Sequence, residues 1–221
     1  MHTRLSQQTS LRCGLSNFNR HEIDSTSAGS WAGCTRCGLH RTRTRIALKR
    51  RGGIGRIRLL LIGEAPGEFE DVLGVPFVGP AGTVLDRIIT ATHTQFQFLI
   101  TNTVLCRPQT IVYLSSEAED TPLGELCYGE DYEIQDKNRD PDQNEMRLCR
   151  PHIDELAKDF QPHGVVYLGK VAKFYPTKLP TVELYHPAYI LRLEYKLQTL
   201  LLEAQKLSKF IKTLNVPSTQ T

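Results

Sequence analysis

No apolar run in the 221 residues is long enough to cross a bilayer. The first twenty residues mix Gln, Ser, Asn and Arg, without the apolar stretch of a secretory signal. These absences argue against a membrane-spanning helix and predict a soluble, cytoplasmic protein; a monomer is expected. No internal repeat is present, and no Gly-x-Gly-x-x-Gly opens a helix after the first apolar strand, which argues against a nucleotide-binding oxidoreductase. Charge is missing by sign in two places. Arg41 to Arg58 holds eight bases (Arg41, Arg43, Arg45, Lys49, Arg50, Arg51, Arg56 and Arg58) and no acid. Ser115 to Asp136 holds eight acids and no base. Without that acidic stretch the net charge of +3 would be +11, enough to attract a polyanion such as DNA.

The chain is long enough to bury a full core without disulfides. Residues 1–30 read as a flexible tail, 31–214 as one domain and 215–221 as a second tail. Arg58–Gly63 is a short apolar run, the pattern of a strand covered on both faces. Phe96–Thr101, Gly164–Gly169 and Thr181–Tyr185 read as further strands. Helical spacing covers Pro80–Ile89, Asn144–Phe160 and the stretch after Tyr189 to about Leu214, where Leu193, Leu197, Leu200, Leu201 and Leu207 are the apolar positions. Glu64–Gly79 reads as a Gly/Pro-rich loop. The alternation predicts a three-layer α/β/α sandwich with a four-stranded, mainly parallel central sheet. Glu64 onward, Asn102 onward and His186 onward then fall at carboxyl ends of strands, where ligands bind in such folds. Residues 110–137 break the alternation and read as an acidic insertion.

Six cysteines are present: Cys13, Cys34, Cys37, Cys106, Cys127 and Cys149. Clustered cysteine in a cytosolic chain suggests metal before disulfide. Cys34-Thr35-Arg36-Cys37 by itself is compatible with zinc, a redox pair or neither.

Five stretches occur in order. They are Gly63-Glu64-Ala65-Pro66-Gly67 with Glu70-Asp71 and Gly74-Val75-Pro76-Phe77-Val78-Gly79-Pro80-Ala81-Gly82; Asn102 with Cys106-Arg107-Pro108; Asn138-Arg139-Asp140-Pro141 with Cys149-Arg150-Pro151; Leu168-Gly169 with Ala172; and His186-Pro187-Ala188-Tyr189-Ile190-Leu191-Arg192. Together they resemble the iron–sulfur, family 4-like uracil-DNA glycosylases. The resemblance runs from about Cys34 to Arg192. It implies a monofunctional hydrolase of base excision repair that acts on uracil in single- or double-stranded DNA and leaves an abasic site. No Schiff-base lysine stands in the motifs.

By the resemblance, Phe77 stacks on uracil, Asn102 reads its edge, His186 donates to O2, and Gly63 and Ala65 line the pocket. Alone, Asn after a strand is a turn residue and a lone His is usually structural. Glu64, Glu70 and Asp71 are the candidates for placing water, as carboxylates do in glycoside hydrolysis. Arg41, Arg43, Arg107 and Arg192 are expected on DNA phosphates. Leu191 is expected either as a minor-groove wedge or on the core face of the last helix. The resemblance further implies a [4Fe–4S] cluster on Cys34, Cys37, Cys106 and Cys149, with structural zinc as the alternative. Cys106 and Cys149 stand much further apart than in the family, because the insertion falls between them. A replication or repair partner for that insertion, and a catalytically weak DNA-binding or assembly module of the same fold, form the rival reading.

Overall fold

The computed structural model describes residues 31–113 and 132–214. The expected N- and C-terminal tails, Cys13 and Cys127 lie outside these residues, as does most of the acidic insertion. Strand β1 is Arg50–Gly53, β2 Arg58–Gly63, β3 Gln97–Asn102, β4 Gln109–Tyr113, β5 Tyr132–Asn138, β6 Gly164–Leu168 and β7 Thr181–Leu184. Helix α1 is Glu68–Leu73, α2 Pro80–Ala91, α3 Gln143–Cys149, α4 Pro151–Phe160, α5 Pro187–Ile190 and α6 Lys196–Thr213. No helix among the described residues is long and apolar enough to cross a membrane.

The central sheet has the order β1-β3-β2-β6-β7. The last four strands run parallel, and β1 pairs antiparallel with β3. The sheet therefore has five strands, not the four expected. The extra one, Arg-Arg-Gly-Gly, carries no apolar alternation; it belongs to the sheet through its backbone pairing with Gln97–Ile100. The acidic insertion grows from an antiparallel ribbon, β4 with β5, whose register begins at Gln109 opposite Asn138.

Alternate β2 side chains enter two cores. Leu60 and Ile62 pack with Leu99, Val165, Ile153 and Leu156 on one face. Leu59 and Leu61 pack with Ile100, Val166, Leu85, Ile88 and Leu207 on the other. All four β2 residues are wholly buried, each stabilising the fold by about 1.5–3 kcal/mol. This is the three-layer sandwich the strand–helix alternation predicts.

Three local expectations change. The long helix over Asn144–Phe160 is two helices. Asp142 and Glu145 close a capping box at the start of α3, and Pro151, which has no N–H to give, opens α4. A short helix, α1, lies inside the Glu64–Gly79 loop and ends on left-handed Gly74. After Tyr189 the chain turns before α6 begins. The buried stripe of α6 is Leu200, Ala204, Leu207 and Ile211, and Leu197 and Leu201 face solvent.

Candidate active site

The parallel register sets Gly63 at the end of β2 beside Asn102 at the end of β3. A Cβ on Gly63 would lie 2.4 Å from Asn102 Oδ1 and 2.5 Å from the edge of the Phe77 ring. The His186 ring stands with its centroid 6.0 Å from that of Phe77, at 41°. The three loops therefore bring Asn102, Phe77 and His186 together around a residue without a side chain, and this is the candidate slot. Gly63→Ala is expected to cut kcat/KM on the order of a hundredfold, about 2.7 kcal/mol of barrier, with little loss of helix or sheet signal; steady-state kinetics beside circular dichroism test this.

Asn102 is buried, and neither its amide nitrogen nor its amide oxygen has a partner among the described residues. A buried polar group left unpaired costs about 1–3 kcal/mol, a cost that a ligand able both to accept and to donate would remove. His186 is the N-cap of α5. Its Nδ1 accepts from Ala188 N at 3.2 Å, which leaves the proton on Nε2. Burial, and secondarily the charge of Arg192, push its pKa down to about 4. At neutral pH it is an uncharged N–H donor.

Phe77 is held in a left-handed backbone conformation with φ of 56°, a conformation that costs a bulky residue about 1–3 kcal/mol. Arg50 holds it there: its guanidinium donates to Phe77 O at 2.9 Å and pairs with Asp86. Gly82 also permits it, since a Cβ at Gly82 would come within 1.9 Å of Phe77 O. Nothing in the sequence singles out Arg50 from the basic run around it.

The three candidate carboxylates separate. Glu70 is buried and accepts backbone N–H groups from Gly67, Val78 and Gly79, which fixes the loop that carries Phe77. Asp71 accepts from Thr44 N and Arg45 N, tying the basic segment to that loop. Glu64 is half-buried beside the slot. Burial, then a hydrogen bond and the charge of Asp140, raise its pKa to about 7. Asp140 lies in the Asn138–Pro141 stretch that the motif reading marks as a block without assigning a role to it. Ala65 packs against the core on the cysteine side.

Of the expected DNA contacts, Arg41 and Arg192 are exposed. Arg43 donates to Cys34 O, Ala32 O and Cys106 Sγ, and buried Arg107 donates to Asn138. Both guanidiniums therefore help hold the framework. Leu191 packs against the core, on the face shared with α2 and α6.

Cys34, Cys37, Cys106 and Cys149 all pack within one core region. Burial raises the pKa of Cys106 to about 11 and of Cys149 to about 12, and the other cysteines add to both shifts through their charge. N–H groups of Arg43 and Leu105 point at Cys106 Sγ and Cys149 Sγ, each at 3.4 Å. Among the described residues no three Cys, His, Asp or Glu side chains group tightly enough for a single ion. His152 links this region to the slot, with Nδ1 at Cys149 O and Nε2 2.9 Å from Asn102 O.

The chain is similar to known proteins. A type-4 uracil-DNA glycosylase from Saccharolobus solfataricus is 31% identical over 125 residues, covering 56% of this chain and 45% of that protein. One from Archaeoglobus fulgidus is 28% identical over 142 residues, covering 63% and 56%. One from Thermotoga maritima is 26% identical over 219 residues, covering 88% and 98%. The chain spans about half the length of the first two of these relatives. A family model, the uracil DNA glycosylase superfamily, matches residues 50–215 and so takes in every strand of the sheet and the whole slot: the chain belongs to that superfamily.

Proposed function

We propose that the protein is a monofunctional uracil-DNA glycosylase of the type-4 kind. The observation that carries this is the partnerless amide of Asn102, set beside Gly63 and the Phe77 ring, with a neutral His186 next to Phe77. Uracil offers what that amide lacks, with O4 to accept from Nδ2 and N3–H to donate to Oδ1. The target nucleotide must leave the stack to reach such a slot. Phe77 covers its face, an interaction worth about 1–3 kcal/mol. As the N1–C1′ bond breaks, negative charge moves to the base and His186 Nε2–H donates to O2. Glu64 orients water toward C1′ and takes its proton while the hydroxyl joins C1′; that proton, returned through solvent, neutralises the departing uracil anion, so the products are free uracil and an abasic site. Exposed basic residues such as Arg41 and Arg192 hold the phosphates.

A uracil-containing oligonucleotide should become alkali-labile at the uracil after incubation with the protein. Retention of the uracil at high enzyme excess, with tight DNA binding, would favour the binding-module reading instead, for which no observation among the described residues speaks.

The four cysteines suit a [4Fe–4S] cluster. Buried thiols lose their protons only when a strongly positive centre compensates, and the N–H groups aimed at two of the sulfurs suit bound thiolates. A single zinc needs sulfurs within about 2.3 Å of one point, whereas a four-iron cluster is wider. When bound, the cluster would staple the segment around Cys34 to the β3 loop and α3; hydrolysis needs no electron from it. Protein purified without air should carry about four irons per chain, with a broad visible absorbance. Stoichiometric zinc and no colour would overturn the cluster.

A further inference from the structure

The two tyrosines that flank His186 in the chain are largely in solvent, Tyr185 at 55% exposure and Tyr189 at 43%. Their rings stand 5.4 Å apart at 44°. Neither sits on a loose segment. Tyr185 N donates at 2.8 Å to the carboxylate of buried Glu203 on α6, and Tyr189 N donates at 2.8 Å to His186 O. An anchored, solvent-facing aromatic pair on either side of His186 in the chain marks a binding surface. Three residues beyond Tyr189, exposed Arg192 brings a positive charge close enough to act on His186.

We propose that Tyr185 and Tyr189 form a stacking platform for the unpaired bases of single-stranded DNA that neighbour the nucleotide in the slot. The proposal rests on reading the slot as a uracil site. It adds a sequence-tolerant subsite, because every base has a face to stack. Their position in the chain on either side of His186 and the exposed arginine that follows select nucleic acid as the occupant. Duplex DNA keeps its base faces covered by their neighbours, so the platform favours the single strand.

Affinity for a uracil-free, fluorescently labelled single strand, measured by anisotropy on the full chain, tests the platform without any need for catalysis. The Tyr185→Ala/Tyr189→Ala variant should bind it about tenfold more weakly, and the Tyr185→Phe/Tyr189→Phe variant should bind as the unaltered protein does. Duplex affinity and Tm should hardly move. With uracil-containing single strands the loss should appear in KM rather than kcat. Photocrosslinking from a strand containing 5-iodocytosine should attach to Tyr185 or Tyr189. Unchanged single-strand affinity in the alanine variant, equal weakening on duplex, or crosslinks confined to other residues would overturn the proposal. Absence of uracil release by the unaltered protein would instead defeat the reading of the slot, and the anisotropy result would still stand.

Discussion

Replacing His186 by alanine is expected to lower kcat for uracil release by roughly 10²- to 10³-fold, with KM for uracil-containing DNA changed only a few-fold. Removing one donor aimed at developing charge typically has that effect. The split between the constants follows from the chemistry: the donor matters most when charge has reached O2, and a loss confined to the transition state appears in kcat. Because burial and Arg192 keep the imidazole neutral at pH 7, no proton needs to be removed from it first. Single-turnover kinetics separate the chemical step from product release. A large rise in KM with kcat preserved would assign His186 to ground-state binding and contradict its placement at O2.

The second large effect is on pH. In the proposed role Glu64 must be ionised to take a proton from water, and its pKa is raised to about 7 by burial and by Asp140. Activity should therefore fall as pH drops through about 7 and level off on the alkaline side. His186, with a pKa of about 4, adds no limb in that range. Asp140→Asn removes the neighbouring negative charge that raises the pKa of Glu64, so the limb should move toward acid. Glu64→Gln should flatten the profile and cost on the order of a hundredfold in kcat, the usual weight of a general base. A profile that keeps its limb near 7 in Glu64→Gln would assign that limb to another group. The same shift has a consequence for stability. A carboxyl whose folded pKa lies above its unfolded value favours the folded state most below the unfolded value. That advantage is lost as pH rises to about 7, so the pH that suits catalysis is not the pH that suits this site's stability.

The placement of Gly63 and Asn102 was legible because they end apolar runs, residues 58–62 and 97–101, whose burial shows as hydrophobicity. His186 follows Thr-Val-Glu-Leu, which has no such run, and was marked by its motif alone. What was not legible depends on contacts between segments distant in sequence. Strand β1 has no side-chain pattern of its own. Arg50 is one of eight bases until the fold carries it to Phe77 O. Glu70 and Asp71 look like interchangeable acids beside Glu64, yet backbone N–H groups occupy both. Only the half-buried Glu64 is left facing another carboxyl. The same holds for Arg43, which reads as a phosphate contact and is engaged by the cysteine region. The break at Pro151 was within reach of the sequence, since proline ends a hydrogen-bonded turn. The start of α6 was not, because Leu193 and Leu197 continue the helical spacing of Leu200, Ala204, Leu207 and Ile211.

The structure of the protein crystallised with free uracil puts the central claim to the most direct trial. The base should lie flat against Phe77 over Gly63, with O4 and N3–H within hydrogen-bond reach of the Asn102 amide and O2 at His186 Nε2. Uracil bound elsewhere, or a slot that stays closed to it in protein that still releases uracil from DNA, would contradict the account.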